Sequence, residues 1–222
     1  MKTKISPAVA HLDLWDLKSA ISTLELNGVD LLHVDVSDGS FAPRISGGAE
    51  LCDALRAHSN LPLDLHLNVL SPERLLANLT IKKGDQVSVR ADGTAQLYRV
   101  LCEIKKSGGR AFLSLGLLTP LTALTEALPY IDGVHLSLAD PLYPTSRMPS
   151  GAIDKIVRIR SLLNESGHGS TELEVEGFMS FENAAKMKKA GASIFVGDAF
   201  GIFHRDQTLA GGIVRLRNAV LD

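Results

Sequence analysis

The sequence predicts a closed (β/α)8 barrel of the TIM type, and three observations predict it. Short apolar stretches rich in Val, Ile and Leu alternate with helix-length amphipathic segments from end to end. The alternation yields eight strand–helix units with no obvious spare element, more evenly spaced units than a doubly wound sheet needs. The length, 222 residues, matches the roughly 200–250 in which such a barrel is built, so a single barrel domain spanning 1–222 is expected.

Taken in order, the first unit is a strand over 4–10 and a helix over 16–27, stopped by Gly28, where a left-handed residue suits a helix end. The second is a strand over 30–36, a turn at Asp38-Gly39 and a helix over 49–58. The third pairs 63–67 with a helix over 72–79, and Ser71-Pro72-Glu73 gives it a cap and then a proline at the first helical position. The fourth pairs 86–89 with 95–107, closed by Gly108; the fifth pairs 111–115 with 121–128; the sixth pairs 133–138 with 152–164. In the seventh, a strand over 172–175 precedes a helix over 181–190 that starts behind Ser180 and ends before Gly191. The eighth pairs 193–197 with 208–220.

Composition narrows the function classes. With 45% hydrophobic and 22% charged residues the chain reads as an ordinary soluble protein. The net charge is −2 with both signs interspersed, so no basic stripe points to nucleic acid or to an anionic membrane. The opening "MKTKISPAVAHLD" turns polar too early for a signal peptide, and no apolar run approaches the ~18–20 residues of a spanning helix. A cytoplasmic protein is expected. Cys52 and Cys102 match no metal or redox spacing and read as reduced thiols.

Alternation along the strands locates the chemistry. His33, Asp35 and Ser37 share one face of the second strand, against Leu32, Val34 and Val36. On the third, Asp64, His66 and Asn68 oppose Leu63, Leu65 and Leu67; on the seventh, Glu172, Glu174 and Glu176 oppose Leu173 and Val175. The apolar faces should pack under the helices, which turns the polar faces into the barrel. Unpaired charge is costly in that low-dielectric interior. A lone buried histidine is ordinarily a satisfied core residue. Here polar residues recur on three strands near their C-terminal ends, where barrels of this kind place their chemistry. Two histidines and two carboxylates suit one divalent cation, zinc, ferrous iron or manganese. Asp64 and Glu174 fall one layer deeper, as residues that orient the histidines.

The sequence resembles the ribulose-phosphate 3-epimerase family. The likeness runs nearly end to end through "ISPAVAHLD", "HVDVSDGSFAP" and "PLDLHLNVLSPERLL", extended by "LLTPL", "LEVEG" and "AGASIFVG". It implies a ribulose-phosphate-binding barrel and a metal-dependent epimerase that inverts the carbon beside the carbonyl of a ketose or ketose phosphate through an enediolate. By the resemblance, His33, Asp35, His66 and Glu176 bind the metal, and Asp35 and Glu176 form the acid–base pair. It implies a small sugar or sugar phosphate as partner, and a homo-oligomer.

This chain departs from the family pattern around the site. The family's first-strand serine is Ala8, three site methionines are Ser37, Asn68 and Ser137, a histidine is Ser40, an asparagine is Arg44, and the seventh-strand aspartate is Glu176. Glycines of the family's phosphate loops are replaced by Leu142, Pro144 and Thr145 after the sixth strand; the seventh-strand pair is Gly177-Phe178 and the eighth-strand pair Asp198-Ala199. An aspartate there repels phosphate. Arg90, standing for a family histidine, and the loop residues Arg44 and Arg147 are the candidate compensating cations. Ser37, Asn68, Arg90, Ser137, Gly177 and Asp198 are the candidate substrate contacts. Two other functions fit such a site: a metal-dependent decarboxylase or aldolase of sugar acids, with Arg44 or Arg90 holding a carboxylate, and a non-catalytic sugar-binding protein.

Overall fold

The computed structural model describes residues 2–140 and 145–221. The chain runs β1 (Lys4–Pro7), α1 (Leu17–Leu26), β2 (Leu32–Asp38), β3 (Ile45–Ser46), α2 (Ala49–His58), β4 (Leu63–Leu67), α3 (Pro72–Leu76), β5 (Gln86–Arg90) and α4 (Leu97–Lys106). It continues through β6 (Arg110–Gly116), α5 (Thr122–Ala127), β7 (Gly133–Ser137), α6 (Ala152–Glu165), β8 (Glu172–Glu176), α7 (Phe181–Lys189), β9 (Ile194–Gly197) and α8 (Leu209–Val220). Strand order is β1-β9-β8-β7-β6-β5-β4-β2-β3. All pairs are parallel except β2 with β3. The barrel closes where Ala8 bridges to His33 and the Asp30 amide donates to the Ile5 carbonyl at 3.0 Å. No helix of the described residues is long and apolar enough to cross a membrane.

All eight predicted strands and helices are present, with shifted ends. The first strand stops at Pro7, not at residue 10, because a 3₁₀ turn, Val9–His11, folds over the barrel mouth. α3 ends at Leu76, where 3₁₀-type bonds from Asn78 to Leu75 and from Leu79 to Leu76 replace the α pattern. α5 likewise gives way to a 3₁₀ turn over Leu128–Tyr130, which contains Pro129. Ser71 does not cap α3: its side chain makes no cap bond, and its backbone sits at φ 86, with its amide donating to the Gly93 carbonyl at 3.1 Å. Ser180 and Thr208 are true caps, accepting from the Asn183 and Gly211 amides at 3.2 and 3.1 Å. The two-residue β3 carries too little pattern to be read from sequence.

Two separate cores result. Outside the strands, Leu32, Val34, Val36, Leu65 and Val175 are buried under helix residues such as Ile104, Ile156 and Ile213. Each such side chain contributes roughly 1.5–3 kcal/mol relative to exposure. Inside the barrel, at its N-terminal end, Leu31, Phe112 and Ile194 form a small apolar floor. Below it Glu172 pairs with Lys4 at 2.6 Å and Arg110 at 2.5 Å, so this glutamate faces the bottom mouth and not the predicted site. Asp85 ties the strand ends together by accepting from the Leu63 and Lys82 amides at 2.8 and 2.7 Å and pairing with Arg56 at 2.6 Å.

Gly133 is fixed by this floor. A Cβ there would overlap the buried Phe112 ring. Gly133→Ala is expected to destabilise the protein by ~1–3 kcal/mol through overpacking. Chemical denaturation checks this; an unchanged midpoint would show that the ring moves aside freely.

Candidate metal centre and active site

Parallel register assembles the site. It sets His33 beside Asp64, Asp35 beside His66, His135 beside Glu174 and Ser137 beside Glu176. Because side chains alternate, those four strands turn their polar residues into one interior space above the apolar floor.

The deeper layer fixes the first histidine. His33 Nδ1 lies 2.7 Å from Asp64 Oδ2, and the Ser6 hydroxyl donates to the same oxygen at 2.7 Å. A proton on Nδ1 leaves Nε2 as the free donor atom, and that buried Nε2 has no hydrogen-bond partner among the described residues. Glu174 accepts from Gln86 Nε2 at 3.0 Å. Burial and the Asp64 charge raise the Glu174 pKa well above the carboxylate range, so it stays protonated beside an ionised Asp64. Asp64 therefore orients His33, as predicted, whereas Glu174 acts on Asp64 and not directly on an imidazole.

The upper layer faces the cavity. Asp35 Oδ1 stands 3.7 Å from His33 Nε2 and 3.3 Å from His66 Nδ1. His66 Nδ1 also lies 3.0 Å from Glu176 Oε2. Asn68 donates to Asp35 Oδ1 at 3.0 Å, and the Arg44 guanidinium lies 3.7 Å from Oδ2. One ligand atom each from His33, Asp35, His66 and Glu176 falls within 4.8 Å of the others. Two imidazoles and two carboxylates at that spacing, with a carboxylate behind the first imidazole, fit a divalent cation. The orphaned His33 Nε2 is the observation that such an ion explains.

Electrostatics agree. Burial works against charge on both Asp35 and Glu176. Their imidazole neighbours outweigh it, and both stay well below the ordinary carboxylate pKa despite mutual repulsion. Burial also opposes protonation of His33 and His66, yet Asp64 and Asp35 around the first, and Glu176 and Asp35 around the second, raise both. His135, missed in the sequence reading, completes the ring: its Nε2 is 3.2 Å from Glu176 Oε2, and burial and the His66 charge push its pKa down to about 4. Alternation on β7 puts it on the face of Ser137, so the same periodicity could have found it.

A cavity of about 430 Å³ opens above the cluster. Asp35, His66 and Glu176 line it, as do all six candidate contacts, Ser37, Asn68, Arg90, Ser137, Gly177 and Asp198. His33 lies beneath. Arg44 also lines it, whereas Arg147 and Ser40 do not. Ser40 closes the predicted turn instead, its amide donating to Asp38 at 2.9 Å. His11, Phe178 and Phe200 come to the cavity on loops without periodic signal. Leu142 and Pro144 lie outside the described residues.

Comparison with known proteins gives the family. The profile of the ribulose-phosphate 3 epimerase family matches residues 4–202. The ribulose-phosphate 3-epimerase of Bacillus subtilis (strain 168) is 30% identical over 193 residues, covering 87% of this chain and 89% of that one. The chloroplastic ribulose-5-phosphate-3-epimerase of Arabidopsis thaliana is 33% identical over 194 residues, covering 86% and 69%. In structure, the 3-hexulose-6-phosphate synthase of Salmonella typhimurium superposes with a TM-score of 0.72 at 13% identity over 98% of both chains, a likeness of fold alone.

A cation entering the cluster must displace protons, because His33 and His66 have raised pKa values and hold protons in the metal-free protein below them. Apparent affinity for Zn²⁺ or Mn²⁺ is expected to rise roughly tenfold per pH unit for each proton displaced. Titration in buffers of different ionisation enthalpy measures the protons released; none released would contradict the assignment. Asp64→Asn should weaken the metal ~10–100-fold, read by competition with a chelator.

Proposed function

The chain belongs to the ribulose-phosphate 3-epimerase family, and we propose that it is a metal-dependent epimerase that inverts the carbon beside the carbonyl of a ketose or ketose phosphate. The observation that carries this is the pair Asp35 and Glu176. Both stand at the cavity floor, and both contact the same His66 nitrogen, at 3.3 and 3.0 Å. In this reading His33, Asp35, His66 and Glu176 hold one divalent cation, zinc, iron or manganese.

Inversion needs a proton taken from one face of a carbon and another delivered to the opposite face. Two carboxylates flanking a substrate can do this in either direction, one as base while the other, protonated, serves as acid. When bound, the cation supplies the positive charge that polarises the carbonyl and steadies the developing enediolate. The remaining work belongs to the chain. Asn68 donates to Asp35 Oδ1, so it points that carboxylate while leaving Oδ2 toward Arg44 and the cavity. His135 and His66 hold Glu176 between them. Asp64 keeps His33 from turning. Fixed carboxylates matter because a displacement of ~1 Å can cost ~100-fold in rate.

Loss of hydrogen from the carbon beside the carbonyl, followed in heavy water by proton NMR, tests the proposal. Asp35→Asn and Glu176→Gln are each expected to lower kcat for exchange by ~10²–10⁴-fold. Chelation should stop exchange in the parent, and added Zn²⁺, Fe²⁺ or Mn²⁺ should restore it. A metal-loaded protein that exchanges no ketose, free or phosphorylated, would refute the reading.

A further inference from the structure

The wall of the cavity built by the loops after β8 and β9 carries information about the substrate that the cluster below does not. These are the seventh and eighth strands of the barrel, whose loops commonly cradle phosphate with backbone N–H groups. Here the N–H groups already have an anion. Asp198, buried where β9 ends, accepts from the Met179 amide of the first loop at 3.0 Å through Oδ2 and from the Phe200 amide of its own loop at 2.9 Å through Oδ1. Its carboxylate thus takes up two N–H groups that an incoming oxyanion would need. Glu176 lies close enough to add repulsion.

The arginines of the cavity do not offset this. Arg90 is engaged by Asp92 at 2.8 Å and lies 3.8 Å over the Phe41 ring, and Arg44 faces Asp35. What the wall offers instead is acceptor lone pairs and apolar surface. Each Asp198 oxygen accepts one backbone hydrogen bond and retains capacity for another. Beside it, the Phe178 and Phe200 rings stand 5.5 Å apart, both lining the cavity, with Phe178 held at φ 56, an uncommon conformation for a non-glycine residue. Carboxylate oxygens for hydroxyl groups and ring surface for C–H groups are the chemistry that recognises an uncharged polyol.

Resting on the epimerase reading, we infer that Asp198 is a specificity-determining residue that bars phosphate from this wall, and that the substrate is an unphosphorylated ketose presenting hydroxyl groups to it. The test runs at pH 8, because burial raises the Asp198 pKa to about 6 and it is ionised there. Inorganic phosphate is titrated into the metal-loaded protein while the Met179 and Phe200 amides are followed by NMR; in parallel, kcat/KM for hydrogen exchange is compared between free ketoses and their phosphates. The wild-type amides should not respond, and free ketoses should be preferred. In Asp198→Ser the two amides should bind phosphate at least ~10-fold more tightly, with the preference moving toward the phosphorylated ketose. Saturable phosphate shifts at those wild-type amides, or a wild-type preference for ketose phosphates, would overturn the inference with or without the variant. If no ketose exchanges at all, the epimerase reading and the substrate assignment fall together, and the wild-type phosphate titration alone still decides whether Asp198 excludes phosphate.

Discussion

The structure depends on one constraint: charge placed inside a barrel must be neutralised there. The interior holds His33, His66 and His135 together with Asp35, Asp64, Glu174 and Glu176, all but the two upper carboxylates essentially inaccessible to solvent. Any of these groups alone would be expelled or lose its charge. They persist because each charged group in the stack stands against a partner of opposite sign, and Glu174 avoids a clash with Asp64 by keeping its proton. Protonated Glu174 lies beside ionised Asp64, Asp64 beside His33, His33 beside Asp35, and Asp35 and Glu176 around His66. Glu174 keeping its proton is as much part of this balance as Asp35 losing its own.

The scaffold explains why the stack stays ordered. Parallel ladders fix the heights of neighbouring side chains, the Phe112 floor stops the column from below, and the Asp85 and Glu172 contacts fasten the strand ends. The proposed metal ligands and acid–base pair, His33, Asp35, His66 and Glu176, are all carried by strands. Substrate discrimination is assigned to loops, where Phe178 and Asp198 can change without disturbing register. Such a division lets relatives with a common metal cluster act on different molecules.

Much of this was legible in the sequence because periodicity of two is a strong signal. The face shared by His33 and Asp35, repeated at Asp64 and His66 and at Glu174 and Glu176, announced both a barrel interior and its chemistry. The same signal placed Glu172 inward but could not say that the bottom mouth would claim it. His135 obeys the same alternation, sharing its face with Ser137, but its strand carries no carboxylate to mark that face as chemical. Ser71 shows the opposite failure, a good local cap motif overruled by a tertiary bond to Gly93. The roles of His11 and Phe200 had no periodic trace, since a loop residue reaches a site by the path of its backbone.

Ser114 sets the direction in which protons are arranged beneath the cavity. Its hydroxyl stands 3.1 Å from His66 Nε2 and 3.0 Å from His135 Nδ1. One hydroxyl carries one proton, so it donates to one ring and accepts from the other. With His66 the more readily protonated ring, its Nε2–H points to Ser114, and Ser114 points to His135. The other nitrogen of His135, Nε2, lies 3.2 Å from Glu176 Oε2. Two imidazoles that never share a hydrogen bond thus exchange information about tautomer through a single rotor. Because the hydroxyl has one proton, reversing its direction at one ring reverses it at the other.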